Sequence, residues 1–174
     1  RNNSVSPEFN ASYKRRFINY PLNETRYSFL EEEGEMLIVC VDKYAEALQP
    51  LIEWKNISGR PTSLVKLSET GNDLKEYIKS YYAENPEFVY LLLVGEHDNL
   101  PAHPMNGGRS DNYFGMLEGD DYYEEVMVGR LSVNSVSDAV NQVNKIIHYE
   151  CDIDETATWL STAAGVAAKE GQGH

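Results

Sequence analysis

The sequence predicts an α/β protein whose sheet is mostly parallel and is flanked by helices. Three observations support this fold class. Residues 88–94 are apolar or aromatic without interruption, which is typical of a strand that is buried on both faces. Residues 36–41 form a second apolar run of strand length. Strand and helix patterns alternate between these two runs, and that order predicts parallel strands joined by right-handed crossovers.

Local signals define the elements that precede the central strand. They predict strands at residues 36–41 and 61–67 and helices at residues 45–57 and 73–83. Apolar residues recur at helical spacing in both helices, and turn residues follow each of them. Pro50 lies inside the first helix, so that helix either kinks there or begins near Gln49.

The pattern after the central strand is less regular. Residues 101–108 contain two prolines and two glycines and are predicted to form a loop. Three further strands are predicted, at residues 113–117, 125–131 and 162–168. The first two of these are expected to flank a small acidic β-hairpin, since the residues between them have turn chemistry. Ser135 is expected to cap an amphipathic helix that precedes the last strand.

Composition and charge limit the class of protein. The 174 residues suit a single domain with its own core, and no apolar run has the length of a membrane span. The net charge of −13 disfavours nucleic acids and anionic membranes as partners. Residues 1–35 are polar or mix basic and aromatic side chains, and they are predicted to form a tail or linker.

The cysteines and histidines form no recognisable catalytic pattern. Cys40 lies in an apolar strand and is predicted to be a buried, unreactive thiol, whereas Cys151 follows a helix and lacks a nucleophile signature. His97 follows the central strand, where a catalytic imidazole and a locally hydrogen-bonded loop histidine both fit the pattern. No glycine-rich phosphate-binding loop follows a strand, which disfavours nucleotide binding.

The most informative polar segment is the acidic stretch at residues 118–125. It has five carboxylates in eight residues and no basic side chain. Crowded carboxylates repel one another, and Ca²⁺ relieves that repulsion by accepting six to eight oxygen ligands. Asp121 and Glu125 are close enough in sequence to converge on one ion, and Glu96 at the strand end could reach it. A solvated acidic turn is the alternative.

Several segments, in the same order, resemble the gingipain family of bacterial cysteine peptidases, especially its arginine-specific members. The two longest are YLLLVGEH at residues 90–97 and GDDYYEEV at residues 119–126. Shorter matching segments lie at residues 36–39, 54–56 with Gly59, 100–102, 110–111, 128–130, 147–150 and 159–160. The resemblance implies a caspase-like α/β catalytic domain in two halves, of which this chain is similar to the first.

The resemblance also implies a structural calcium site. Carried over residue by residue, its ligands are the side chains of Glu96, Asp121 and Glu125 and the backbone carbonyls of Glu118 and Tyr123. The family more often has Asp where this chain has Glu96, and the longer side chain shifts the reach of that carboxylate.

The same resemblance implies a processing site between Arg26 and Tyr27. Residues 1–26 are then the end of a propeptide or a linker, and residues 27–174 form the N-terminal subdomain of an incomplete catalytic domain. In the family the catalytic His and Cys lie in the second half, and no residue of this chain occupies their positions. The chain by itself is therefore expected to be inactive.

We therefore predict that the chain is the N-terminal portion of a cysteine endopeptidase zymogen. The enzyme is expected to be secreted or cell-surface, to be stabilised by calcium and to cleave protein or peptide substrates after arginine. Its partner is the C-terminal catalytic half of the same protein. The alternative is a non-catalytic, calcium-binding interaction module. A receiver-like domain phosphorylated at Asp42 is less favoured, because Lys43 stands where further acidic residues are needed.

Overall fold

The computed structural model describes residues 4–5, 7–16, 28–29, 34–105, 107–119, 121–152, 154 and 156–165. Within these ranges the central element is a four-stranded parallel sheet. Its strands are β3 (Glu35–Cys40), β4 (Thr62–Lys66), β5 (Phe88–Val94) and β8 (Met127–Leu131), in the order β4-β3-β5-β8. The prediction of an α/β protein with a parallel sheet is confirmed.

Helices cover both faces of this sheet. The helices are α2 (Gln49–Ile57), α3 (Leu74–Glu84) and α4 (Val136–Cys151). One face of the sheet packs against α3 through a cluster that includes Ile78 and Phe88. The other face packs against α2 and α4 through a cluster that includes Leu51 and Val143. The strand β5, and β3 after Glu35, are apolar throughout because they contribute side chains to both clusters.

The helix ends follow their local sequence signals. Pro50 lies in the first turn of α2, so the helix begins at Gln49 and does not kink. The carboxylate of Asp73 caps α3 by accepting from the backbone N–H groups of Lys75 and Glu76. Ser135 caps α4 in a capping box with Asp138.

Smaller elements lie outside the main sheet. They are β1 (Ser4–Val5), α1 (Pro7–Arg16), β2 (Ser28–Phe29), β6 (His103–Met105) and β7 (Gly108–Ser110). The segment predicted to be a tail thus contains a ten-residue helix and a short parallel pair, β1 with β2. No helix of the described ranges is both long enough and apolar enough to cross a membrane.

The prediction of an acidic β-hairpin around residues 118–124 is wrong. Residues 112–115 form a 3-10 turn, and β8 pairs in parallel with β5. The turn at residues 112–115 is not extended, so it offers no strand that β8 could pair with as a hairpin. A hairpin does occur where a loop was predicted, since β6 and β7 pair antiparallel around Gly107, whose φ is +81°.

The strand predicted at residues 162–168 is not observed in its described part. Residues 162–165 have no regular secondary structure, and residues 166–168 lie outside the described ranges. Small residues such as Ala and Gly dominate this segment, and they carry little strand preference of their own.

Candidate functional site

The carboxyl edge of the sheet is organised by Gly95, which follows β5. Its φ is +148°, and a Cβ atom there would lie 2.8 Å from Cγ2 of Val41, so only glycine fits. Nη1 of Arg130 donates to the Gly95 carbonyl at 2.8 Å. The same guanidinium donates twice to the carboxylate of Asp111, at 2.7 and 2.6 Å. This bidentate pair holds the strand end in one position.

Glu96 is held at the same edge by its backbone and by its side chain. Its carbonyl accepts from the N–H groups of Asn99 and Leu100 at 3.0 and 2.8 Å. Its carboxylate accepts from Oγ of Ser132, which follows β8. The side chain is therefore turned toward the end of β8.

His97 makes local hydrogen bonds. Its Nδ1 accepts from the N–H of Ala102 at 3.0 Å and lies 3.3 Å from Nη1 of Arg109. Because Nδ1 accepts, the ring proton belongs on Nε2. No hydrogen bond joins this ring to a Ser, Cys or carboxylate among the described residues, and this geometry fits the loop-histidine interpretation.

Two carboxylates of the acidic stretch accept hydrogen bonds from backbone N–H groups of that same stretch and of Leu117 just before it. Oε2 of Glu125 accepts from the N–H groups of Leu117 and Glu118 at 2.5 and 3.0 Å. Oδ1 of Asp121 accepts from the N–H of Tyr123 at 2.9 Å. Each carboxylate is thus oriented by backbone N–H groups of the same loop.

Lys75 is a buried cation beside this loop that the sequence analysis did not identify. Its side chain is 7% exposed, and Nζ donates to the carbonyls of Met116, at 2.6 Å, and Tyr113. Burial lowers the pKa of Lys75 to about 8, and the charge of Lys79 acts in the same direction. The available sequence signal was a lysine two residues after the helix cap Asp73, where the helix dipole disfavours a cation.

The structure separates two of the predicted calcium ligands. Glu96 follows β5, whereas Glu125 precedes β8, and these two strands run in parallel. The two residues therefore lie beyond opposite ends of β8, which alone spans about 15 Å. One ion cannot bind both carboxylates.

The remaining predicted ligands belong to one loop. They are the side chains of Asp121 and Glu125 and the carbonyls of Glu118 and Tyr123. No group of three or more His, Cys, Asp or Glu side chains is arranged to hold a metal ion within the described part of the chain. A site here would need backbone oxygens, which Ca²⁺ accepts readily. The donor set consists of oxygen atoms alone, and its chemistry fits that ion.

Neither cysteine has the surroundings of a nucleophile. Cys40 is fully buried at the end of β3, and burial followed by the charge of Asp42 raises its pKa to about 11. Cys151 is exposed at the end of α4, where its pKa is also raised. Both are free thiols. Arg26 and Tyr27, the predicted processing site, lie outside the described residues.

Comparison with known proteins gives a consistent result. The sequence profile described as Peptidase family C25 matches residues 29–174. Gingipain R2 of Porphyromonas gingivalis is 36% identical over 97% of this chain, and Lys-gingipain of the same organism is 26% identical over 96%. The chain spans only 24% and 10% of the length of these two relatives.

Two solved structures are also similar to the chain. One is the Arg-specific cysteine proteinase gingipain R, with a TM-score of 0.64 and 32% identity; the match covers 68% of this chain and 29% of that chain. The other is a complex of the pro- and mature domains of the Porphyromonas gingivalis proteinase RgpB, with a TM-score of 0.63 and 33% identity over 67% of this chain and 29% of the other.

Proposed function

The chain belongs to peptidase family C25, and we propose that it is the N-terminal part of a secreted, calcium-stabilised cysteine endopeptidase that cleaves after arginine. The observation that carries the proposal is the match of residues 29–174 to this family, which includes the whole parallel sheet. The arginine preference rests on higher identity to gingipain R2, 36%, than to Lys-gingipain, 26%. The fold, a caspase-like α/β domain, agrees with this assignment.

The proposed reaction requires residues beyond this chain. A cysteine thiolate attacks the scissile carbonyl to form a thioester, while a histidine passes a proton to the leaving amine, and water then hydrolyses the thioester. Cys40 is buried with a raised pKa, and His97 hydrogen-bonds to a backbone N–H. Neither residue suits these roles. We place the catalytic His and Cys in the sequence that follows His174.

This chain would contribute the sheet that carries the second half and a calcium-binding loop. We assign the ion to Glu118, Asp121, Tyr123 and Glu125, and exclude Glu96 because it lies at the opposite edge of the sheet. The support is the set of carboxylates already oriented by backbone N–H groups. When bound, the ion would neutralise the crowded carboxylates of residues 118–125 and hold the loop in one conformation.

The calcium assignment is tested by metal titration of the full-length protein. Asp121→Asn should weaken calcium binding at least about tenfold, and chelation should lower the melting temperature of the wild type. Glu96→Gln and Asp98→Asn, which remove charges at the other edge, should leave the affinity of this site unchanged. Equal melting temperatures with chelator and with calcium would contradict the assignment.

The peptidase assignment is tested by labelling the full-length protein with an arginyl and with a lysyl thiol-reactive affinity probe. Intact-mass and peptide analysis should place the arginyl label on a cysteine beyond His174. Label on Cys40 or Cys151 would overturn the assignment of the catalytic cysteine to the sequence beyond His174. Preferential reaction of the lysyl probe would overturn the arginine specificity. A fully folded protein that no probe labels would favour the non-catalytic calcium-binding module.

The junction between Arg26 and Tyr27 is proposed as the processing site of a zymogen. N-terminal sequencing of the secreted form should begin at Tyr27, and Arg26→Gln should retain the longer species. A secreted form whose N-terminal residue is not Tyr27 would contradict the proposed processing site.

A further inference from the structure

Three arginines follow Tyr27 in the sequence, and the structure holds them with very different firmness. They are Arg60, Arg109 and Arg130. The side chain of Arg60 is 22% exposed, and its Nη1 donates at 3.2 Å both to Oε1 of Glu8 and to the Gly34 carbonyl. The next residue is Pro61, whose ring nitrogen carries no N–H. The peptide bond that follows Arg60 is therefore a poor substrate for a peptidase.

Arg130 is protected by the main sheet. It lies in β8, which pairs with β5, and its side chain is 15% exposed. The guanidinium donates to Asp111 at 2.7 and 2.6 Å and to the Gly95 carbonyl at 2.8 Å. A peptidase can cut only a segment that has opened, so cutting after Arg130 would require β8 to leave the sheet.

Arg109 is exposed and weakly held. It lies in β7, and its Nη1 is 3.3 Å from Nδ1 of His97. That nitrogen already accepts from the N–H of Ala102 at 3.0 Å, so the guanidinium shares an acceptor. The contact of Arg109 is thus longer than those of Arg130 and involves no carboxylate.

The hairpin that carries Arg109 is separate from the main sheet. β6 and β7 form a two-stranded sheet with only three residue pairs. Pro104 is the partner of Arg109 in this sheet and has no N–H to donate. Gly107 and Gly108 at its tip are exposed. Isolated two-stranded hairpins have marginal stability, so this segment can open while the main sheet stays intact.

Many contacts would join the two pieces that result from a cut after Arg109. The cut separates β3, β4 and β5 from β8 and α4, but β5 and β8 pair over five residue pairs. Lys75 donates to the carbonyls of Tyr113 and Met116 across the cut. Nε1 of Trp54 in α2 donates to the carboxylate of Glu150 in α4 at 2.7 Å. These contacts favour an assembled two-chain protein.

We propose that the bond between Arg109 and Ser110 is a second processing site, that the protein's own activity cuts it, and that the two pieces stay together. Water is the co-reactant: its oxygen joins the carbonyl carbon of Arg109, and Ser110 leaves with a free amine. The self-cutting rests on the proposed arginine-specific activity. The susceptibility of this bond rests on the hairpin alone.

The test is incubation of the full-length protein, followed by N-terminal sequencing and intact-mass analysis. We expect a second N-terminus at Ser110 beside the one at Tyr27, and both pieces should co-elute in size-exclusion chromatography. Arg109→Gln should slow this cut at least about tenfold, since the side chain that the enzyme recognises is lost. The control Lys79→Arg introduces an arginine at a position of α3 whose side chain is 43% exposed. It should not be cut after residue 79, because the helix would have to unfold.

Three results would overturn the proposal. One is the absence of a Ser110 terminus in a protein that the arginyl probe labels, and another is separation of the two pieces under native conditions. The third is cutting after residue 79 in the control as fast as after residue 109. If the probe does not label the protein, the proposed peptidase function and the self-cutting both fail. An added arginine-specific peptidase then decides whether this bond is the susceptible one, which it disproves by cutting elsewhere after Tyr27.

Discussion

Lys75 and Glu125 hold the two sides of one peptide group. Nζ of Lys75 donates to the carbonyl of Met116 at 2.6 Å, and Oε2 of Glu125 accepts from the N–H of Leu117 at 2.5 Å. The peptide that joins Met116 to Leu117 therefore lies between an ammonium and a carboxylate. This arrangement fixes the acidic loop to α3 on one side and to the start of β8 on the other.

Lys75→Met should loosen this loop while preserving the packing of the aliphatic side chain. The carbonyls of Tyr113 and Met116 each lose a donor, so we expect amide hydrogen exchange at Leu117 and Glu118 to accelerate at least about tenfold. Hydrogen-exchange mass spectrometry measures this. Lys79→Met is the control, because Lys79 is exposed and its ion pair, with Glu76 at 3.5 Å, lies within α3. Unchanged exchange in Lys75→Met would contradict the anchoring role.

The buried Lys75 should also produce a pH dependence of stability. Its pKa is lowered from 10.5 to about 8, so between these values the unfolded chain binds more protons at this residue than the folded chain does. The contribution of Lys75 to the free energy of unfolding therefore rises from pH 8 to pH 10.5. The difference in unfolding free energy, wild type minus Lys75→Met, should increase by at most about 3 kcal/mol over this range.

This difference is measured by urea denaturation at several pH values. Cys40 and Tyr81 have raised pKa values and titrate alike in both proteins, so their effects cancel. A difference that falls with rising pH would show that the ammonium form is the one favoured by the fold.

Arg130→Lys should destabilise the sheet edge although it preserves the charge. Lysine cannot donate in bidentate fashion to Asp111 and at the same time reach the Gly95 carbonyl. We expect a loss of about 1–3 kcal/mol in the free energy of unfolding, measured by urea denaturation. Arg109→Lys, at an exposed position of β7, should change stability by less than about 0.5 kcal/mol. Equal losses in the two variants would argue against the special role of Arg130.

Thiol reagents should distinguish the two cysteines in the folded protein. At pH 8 we expect iodoacetamide to modify Cys151 and to spare Cys40, which is buried and has a pKa of about 11. Under denaturing conditions both should react. Peptide mass spectrometry locates the adducts, and rapid modification of Cys40 under native conditions would show that the end of β3 opens easily.

Local sequence patterns were sufficient for most of the regular elements. The continuous apolar runs of β3 and β5 predicted buried strands because both faces of a central strand must be covered. Asp73 and Ser135 predicted helix starts because each caps the free N–H groups of its first turn. These signals act between residues that are close in sequence, so they could be read without a structure.

The acidic segment was misread because its pairing is not local. Turn residues between two short apolar runs suggested a hairpin, but residues 112–115 form a 3-10 turn, and β8 pairs with β5, far away in sequence. Lys75 was missed for a similar reason, since its carbonyl partners Tyr113 and Met116 lie on a distant turn.

By itself, the sequence determined the family, the parallel α/β class and the ends of the main helices, because these depend on local periodicity, capping and ordered motifs. Only the tertiary structure decided which groups share a location. It put Glu96 and Glu125 at opposite edges of the sheet and brought Glu8 to Arg60. Strand direction and register set these distances, and both arise from hydrogen bonds between segments that are remote along the chain.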